Sequence, residues 1–165
     1  METEEPFMSI EKVRAFFREK GIEDRVQEFP VSSATVELAA QALGVEGKRI
    51  AKTLSFLVGD QCVLIVAAGD AKVDNAKFKA QFHTKAKMLP HDQVPEYVGH
   101  AVGGVCPFAV KEGVAVYLDE SLRRFETVYP ACGSSNSAIE LTIPELMAYA
   151  DTDAWIDVCK GWQEA

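Results

Sequence analysis

The chain has 165 residues, 48% hydrophobic and 25% charged, with a net charge of −8. Those proportions exclude a disordered or collagen-like chain and fit one compact globular domain, long enough to bury roughly 68–70% of its unfolded surface without a disulfide or metal. The negative balance argues against sequence-independent adhesion to nucleic acid through a broad basic surface, so DNA is not an expected partner.

The longest apolar runs, such as Cys62 to Ala68, fall far short of the roughly 20 residues a membrane span needs, so no membrane is expected. The acidic opening METEEPFMS lacks the basic head and apolar middle of a secretory signal, which points to the cytoplasm. In that reducing setting Cys62, Cys106, Cys132 and Cys159, which form no C-x-x-C pair, read as core-filling thiols. His83, His91 and His100 lack the i, i+4 spacing of a zinc helix, so neither a metal nor another cofactor is expected.

Along the chain, Ser9 followed by IEKVRAFFREKG reads as a capped amphipathic helix ended by Gly21, with Ile10, Val13, Phe16 and Phe17 on one side. Arg25 to Val31 reads as an edge strand because Pro30 cannot donate to a ladder. A second helix enters at Thr35 and stops at Gly44. Arg49 to Val58 and the run LIV beyond the Gly59–Asp60 turn form a hairpin. Short helices are expected over Asp74 to Phe82 and Pro90 to Val98, then a glycine-rich loop from Gly99 to Val110. Strand-like VAVYL, the segment FETVYP, a second loop ACGSSNS, the alternating strand AIELTI, a helix opened by Pro144 and a last strand WIDV complete the chain. The pattern is α+β with predominantly antiparallel, hairpin-rich pairing.

Two features invite a chemical reading. On the strand from Arg49 to Val58, alternation places Lys52 among Ile50, Leu54, Phe56 and Val58. Such a lysine either extends its ammonium to water or a carboxylate, or lines a pocket that receives an anion, since an unpaired buried ammonium is costly. The loop VGGVCPF offers Gly103 and Gly104, whose backbone a ligand can approach closely, ahead of the stiffening Pro107. No G-x-x-x-x-G-K-[ST] or G-x-G-x-x-G occurs, so nucleotide-triphosphate and dinucleotide chemistry lack support. Lys72 to Lys87 holds five lysines against one aspartate, which is either a solvated helix face or a docking patch for a phosphate backbone.

Taken together, KTLSFLV after a helix ending ALGV, then GHAVGGVCPFAV, then FETVYPACGSSNSAIELTIPEL, resemble the YbaK/ProX family of aminoacyl-tRNA deacylases. These are freestanding relatives of the editing domain inserted in bacterial prolyl-tRNA synthetases. The resemblance spans Val31 to Ala150 and implies one editing domain over residues 1–165, an α+β fold with a mixed, mostly antiparallel, barrel-like sheet flanked by helices. It implies that Lys52 anchors the phosphate or ribose of the terminal adenosine, with Thr53 beside it. Gly103, Gly104 and Pro107 match the family's glycine loop, and Gly133 and Ser134 correspond to its second substrate loop. Cysteine-specific relatives tend to carry an aspartate where Ala138 stands here, so the resemblance does not imply specificity for cysteine.

The expected activity is hydrolysis of the ester of a mischarged tRNA, in trans, with tRNA-Pro carrying alanine or cysteine as the expected substrate class. Partners are the aminoacyl-tRNA acceptor end and, as a further candidate, prolyl-tRNA synthetase. An aminoacyl ester is already activated, so backbone donors of Gly103 and Gly104 aimed at the developing oxyanion, with Lys52 holding the adenosine end, suffice in principle. Two alternatives stand beside this reading. One is a Cys106 nucleophile served by His100; the other is a non-catalytic module that binds an aminoacyl-tRNA end or a synthetase.

Overall fold

The computed structural model describes residues 5–100 and 104–162. In chain order the elements are α1 (Glu5–Glu19), β1 (Gln27–Glu28), α2 (Val36–Leu43), β2 (Ile50–Val58), β3 (Gln61–Ala68), β4 (Lys72–Val73), α3 (Asn75–Phe82) and α4 (Val94–Val98). Then come β5 (Ala115–Asp119), β6 (Thr127–Pro130), β7 (Ser137–Ala138), β8 (Leu141–Thr142), α5 (Ile143–Ala150), β9 (Trp155–Ile156) and β10 (Cys159–Lys160).

Six strands form the main sheet in the order β8-β6-β2-β3-β5-β9, with two small ribbons, β1-β7 and β4-β10, at its margins. The β2–β3 hairpin is the antiparallel spine, paired from Ala51↔Ala68 to Val58↔Gln61. β2–β6, β3–β5 and β5–β9 are parallel, while β6–β8 and both ribbons are antiparallel. The expected mixed sheet holds: antiparallel pairings outnumber parallel ones four to three among the described residues, although within the main sheet three of the five are parallel.

Alternation along the hairpin sorts its side chains onto two apolar layers. Val66 and Ala68 pack with Val13 and Phe17 of α1, Leu146 of α5 and Phe108. Phe17 meets Phe108 edge-on at 5.0 Å and Tyr149 at 5.7 Å. Val63, Ile65 and Ala67, on the other face, pack with Phe56 and with Phe78 of α3. Phe17 and Phe78 are both fully buried, and each such ring contributes roughly 1.5–3 kcal/mol by leaving water.

Local sequence chemistry sets several boundaries. The Thr35 hydroxyl accepts from Leu38 N at 3.1 Å to start α2. The Asp74 carboxylate accepts from Ala76 N and Lys77 N at the head of α3. At α5, Thr142 and Glu145 form a reciprocal capping box.

Four elements differ from the sequence expectation. α1 is already helical at Glu5, four residues before Ser9, so Ser9 lies within the helix rather than capping it. The strand expected over Arg25 to Val31 shrinks to Gln27–Glu28, paired only with β7. The segment Pro90 to Val98 divides into a 3₁₀ turn, His91–Gln93, and α4, which restarts with Pro95 in its first turn. AIELTI is two strands, since Ala138 pairs with Gln27 whereas Leu141 and Thr142 pair with β6. Ile139 and Leu141 both remain fully buried, so the side-chain period survives while the hydrogen-bonding partner changes. β4 and β10 had no counterpart in the expectation.

Candidate active site

β2 has an open edge, and the main candidate site lies along it. Its pairing with β6 is limited to Ile50↔Tyr129 and Ala51↔Pro130. Farther on, the segment before α4 takes over, with Leu89 N donating to Ser55 O at 3.0 Å and Leu57 N donating to Lys87 O at 2.9 Å. Ser55 and Leu57 thus turn their backbone groups away from β3, and Thr53, of the same parity, does likewise. Its N–H and C=O lie between the two flanking segments and face a cavity of about 300 Å³. The Thr53 hydroxyl oxygen is buried, with no hydrogen-bond partner among the described residues.

Small side chains line much of this cavity, including Ala34, Ala39, Ala51, Ala131 and Ala138. Tyr129 and Leu89 supply larger apolar wall, and Lys52 contributes from β2. Hydrogen bonds to the Asn136 loop hold the segment before α2 in place, backbone pairs among them. Phe29 N donates to Asn136 O at 2.8 Å, and Ser33 N donates to Ser135 O at 2.6 Å. Ala138 lines the cavity, whereas Phe29 and Val31 do not, and Val31 is 59% exposed.

Lys52 sits on the face shared with Phe56, directly across from Ala67, whose small side chain leaves room for the lysine stem. Its ammonium donates to the Ala71 carbonyl and, at 3.4 Å, to the Gly69 carbonyl. It is not fully solvated, and no carboxylate among the described residues bonds it. Burial lowers its pKa from the ordinary 10.5; the fields of Cys159 and Asp70 oppose that shift and Lys72 adds to it. The two carbonyls stabilise the ammonium with partial charges only, so an anion arriving at the cavity would gain a partly desolvated cation. Gly69 keeps the loop beneath this ammonium tightly seated. A Cβ there would stand 2.0 Å from the Gly47 carbonyl oxygen.

The two glycine loops meet. A Cβ on Gly104 would lie 2.5 Å from Ser134 N and 2.6 Å from the Gly133 carbonyl carbon, so the absence of a side chain lets the loops touch. Neither Gly104, Gly133 nor Ser134 lines the cavity; Val105 and Ser137, their neighbours, do. The Ser134 hydroxyl turns inward to Asn136 Oδ1 at 2.9 Å and Ser137 Oγ at 2.8 Å. Pro107 is buried. Gly103 lies outside the described residues.

Cys106 and His100 are brought together, with Sγ 3.5 Å from Nε2. Both are buried, and neither lines the cavity. Burial pushes the Cys106 thiol up to about 12 and the His100 imidazole down to about 4. His100 Nε2 lies 2.7 Å from the Phe108 carbonyl oxygen, which fits an N–H donor at that nitrogen rather than a base facing the thiol. The pair therefore fixes the loop and is a poor nucleophile.

Sequence reasoning missed Gly69, Tyr129 and the Ser33–Val36 rim. Gly69 had a signal, a lone glycine directly after a fully apolar strand; the rim had none, because its role depends on the distant Asn136 loop.

The structure thus joins a curled mixed sheet with an open-edged strand, a half-buried lysine and two interlocked glycine loops. The chain belongs to the aminoacyl-tRNA editing domain family, which residues 31–149 match. It is 55% identical over 157 residues to the uncharacterized protein YwhH of Bacillus subtilis (strain 168), covering 94% of this chain and 100% of that protein. It is 30% identical over 104 residues to the proline–tRNA ligase of Halalkalibacterium halodurans, 62% of this chain and 18% of the ligase. A crystal structure described as a candidate trans-editing enzyme for prolyl tRNA synthetase superposes with a TM-score of 0.82 at 28% identity, covering 93% of this chain and 98% of that one.

Proposed function

We propose that this protein is an aminoacyl-tRNA deacylase acting in trans in the cytoplasm, on tRNA-Pro carrying a small amino acid such as alanine or cysteine. The observation that carries the reading is the cavity on the open edge of β2. It is small, has several alanines among its lining residues, and joins a partly desolvated cation to the outward-turned backbone N–H and C=O of Thr53.

Those groups are complementary to the end of an aminoacyl-tRNA. Lys52 holds the phosphate or ribose of the terminal adenosine. The Thr53 C=O is suited to accept from an α-ammonium, and its N–H is suited to donate to a polar atom around the ester. The backbone N–H groups of Gly103 and of Gly104, which adjoins the cavity-lining Val105, remain the proposed donors to the carbonyl oxygen. Water adds to the ester carbonyl carbon, the bond to the ribose oxygen breaks, and that oxygen takes a proton, leaving free amino acid and a tRNA hydroxyl end. Donors pre-aimed at the developing oxyanion are worth several kcal/mol. The cavity's small volume also suits a second sieve, since a synthetic site rejects a smaller side chain by only about 10–200-fold per methylene.

The test is release of labelled amino acid from Ala-tRNA-Pro, Cys-tRNA-Pro and Pro-tRNA-Pro. Selective release from one of the mischarged species supports editing and names the substrate. Tight binding with no release across the panel would instead identify a non-catalytic module.

A further inference from the structure

The short ribbon of β4 and β10 sets two lysines face to face. Lys160 stands directly opposite Lys72 in the antiparallel register, and both are exposed. Cross-strand neighbours have Cβ atoms roughly 4.5–5.5 Å apart on one face of the sheet, and like charges there are destabilising. The acids nearest in sequence are engaged elsewhere. Asp70 pairs with Arg124 at 2.6 Å, Asp157 pairs with Lys77 at 3.1 Å, and Asp74 caps α3. Neither Lys72 nor Lys160 has a carboxylate partner among the described residues.

The ribbon also continues from the cavity. The Lys52 ammonium reaches the carbonyl of Ala71, the residue just before Lys72. Beyond the ribbon, Lys79 and Lys85 flank a hollow with Asn75 and Ala76, and exposed Lys87 precedes Met88 on the cavity wall. On a chain of net charge −8, exposed Lys72, Lys79, Lys85, Lys87 and Lys160 make a local excess of positive charge.

We propose that the β4–β10 ribbon, centred on Lys72 and Lys160, is the docking surface for the sugar–phosphate backbone of the RNA whose 3′ end enters the cavity. A phosphate held between the two ammonium groups removes the repulsion built into the ribbon. The identity of the docked molecule as RNA rests on the deacylase reading of the cavity. The proposal reaches beyond the lysine-rich helix segment, because it depends on Lys160, close to the C-terminal end of the chain and brought to Lys72 only by the fold.

The experiment measures binding of deacylated tRNA to the full chain over a range of salt concentrations, for wild type, Lys160→Ala and Lys72→Ala/Lys160→Ala. Removing one ammonium–phosphate interaction should make the slope of log K against log salt shallower by about 1, so the double variant should be shallower by about 2. Melting temperatures of both variants should not fall below wild type, since the substitutions remove a repulsion; this separates impaired docking from impaired folding. An unchanged slope in the double variant, or no salt-dependent binding by wild type, overturns the proposal. So does a double variant that keeps its RNA slope but no longer binds prolyl-tRNA synthetase, which would make the ribbon a protein-binding surface. The deacylase reading fails differently: wild type would bind RNA with the full slope yet release no amino acid from any mischarged tRNA.

Discussion

Replacing Lys52 tests the centre of the proposed chemistry. Lys52→Met keeps most of the stem that packs beside Ala67 and removes the ammonium that bonds the Gly69 and Ala71 carbonyls. A hydrogen bond to a charged group contributes about 1.5–3 kcal/mol. Loss of one such bond to the substrate lowers kcat/KM by about 10- to 150-fold, at 1.36 kcal/mol per tenfold. Stability should move much less, because removing a partly desolvated charge offsets the two missing carbonyl bonds. The assay is release of labelled amino acid together with thermal unfolding. The pH dependence supplies a second signature. Burial places the pKa of Lys52 below 10.5, so just under that value the unfolded chain binds more protons than the folded one, and this group makes the fold more stable as pH rises. Over the same window the charge that grips the substrate disappears. Activity, corrected for spontaneous ester hydrolysis, should therefore fall there while the stability difference between wild type and Lys52→Met shifts in favour of wild type. A Lys52→Met variant within about twofold of wild-type kcat/KM (roughly 0.4 kcal/mol) would refute the assignment.

Further outcomes follow from the same geometry. Gly104→Ala must push the glycine loops apart, because its Cβ would meet Ser134 N at 2.5 Å; overpacking of this kind costs about 1–3 kcal/mol, read as a drop of about 2–4 °C in melting temperature per kcal/mol, with loss of activity. Cys106→Ala should remain active, and native Cys106 should resist alkylation at neutral pH because its thiol titrates only at about 12; trapping of an acyl-enzyme on Cys106 would contradict both. Acid should weaken the fold in two windows. His100, held neutral with a pKa of about 4 against an ordinary 6.5, costs stability as pH falls from 6.5 towards 4, because the unfolded chain takes up the proton first. Glu145, lowered from 4.5 to about 2 mainly by the Arg25 hydrogen bond, loses its contribution between those values. Solvent screening limits that second contribution to no more than about 1 kcal/mol, and Glu145→Gln should abolish it in a pH series of unfolding midpoints.

Local chemistry was legible wherever a residue's role depends on its near neighbours. Thr35 and Gly44 bracket α2, Asp74 heads α3 and the Gly59–Asp60 turn joins β2 to β3, because caps and tight turns are closed by groups a few residues apart. Alternation placed Lys52 on its apolar face for a comparable reason, since a strand's period of two needs no partner to be specified. The motifs around Lys52, the first glycine loop and the Gly133 loop were sufficient to indicate the editing family. What required the tertiary structure was every relation across long sequence separation. AIELTI fixes which side chains point inward, but whether Ala138 pairs with β1 and Leu141 with β6 depends on strands more than ten residues away. Cys106 and His100 are close in the chain, yet only their burial showed them to be inert. The open edge at Thr53 exists because β6 leaves β2 after Pro130, and the lysine pair exists because β10 returns to β4. Hydrogen-bond partners and local dielectric are properties of what the whole chain brings together, so the sequence by itself specified the elements and the candidate residues, and the packing of distant segments decided which of them face the cavity.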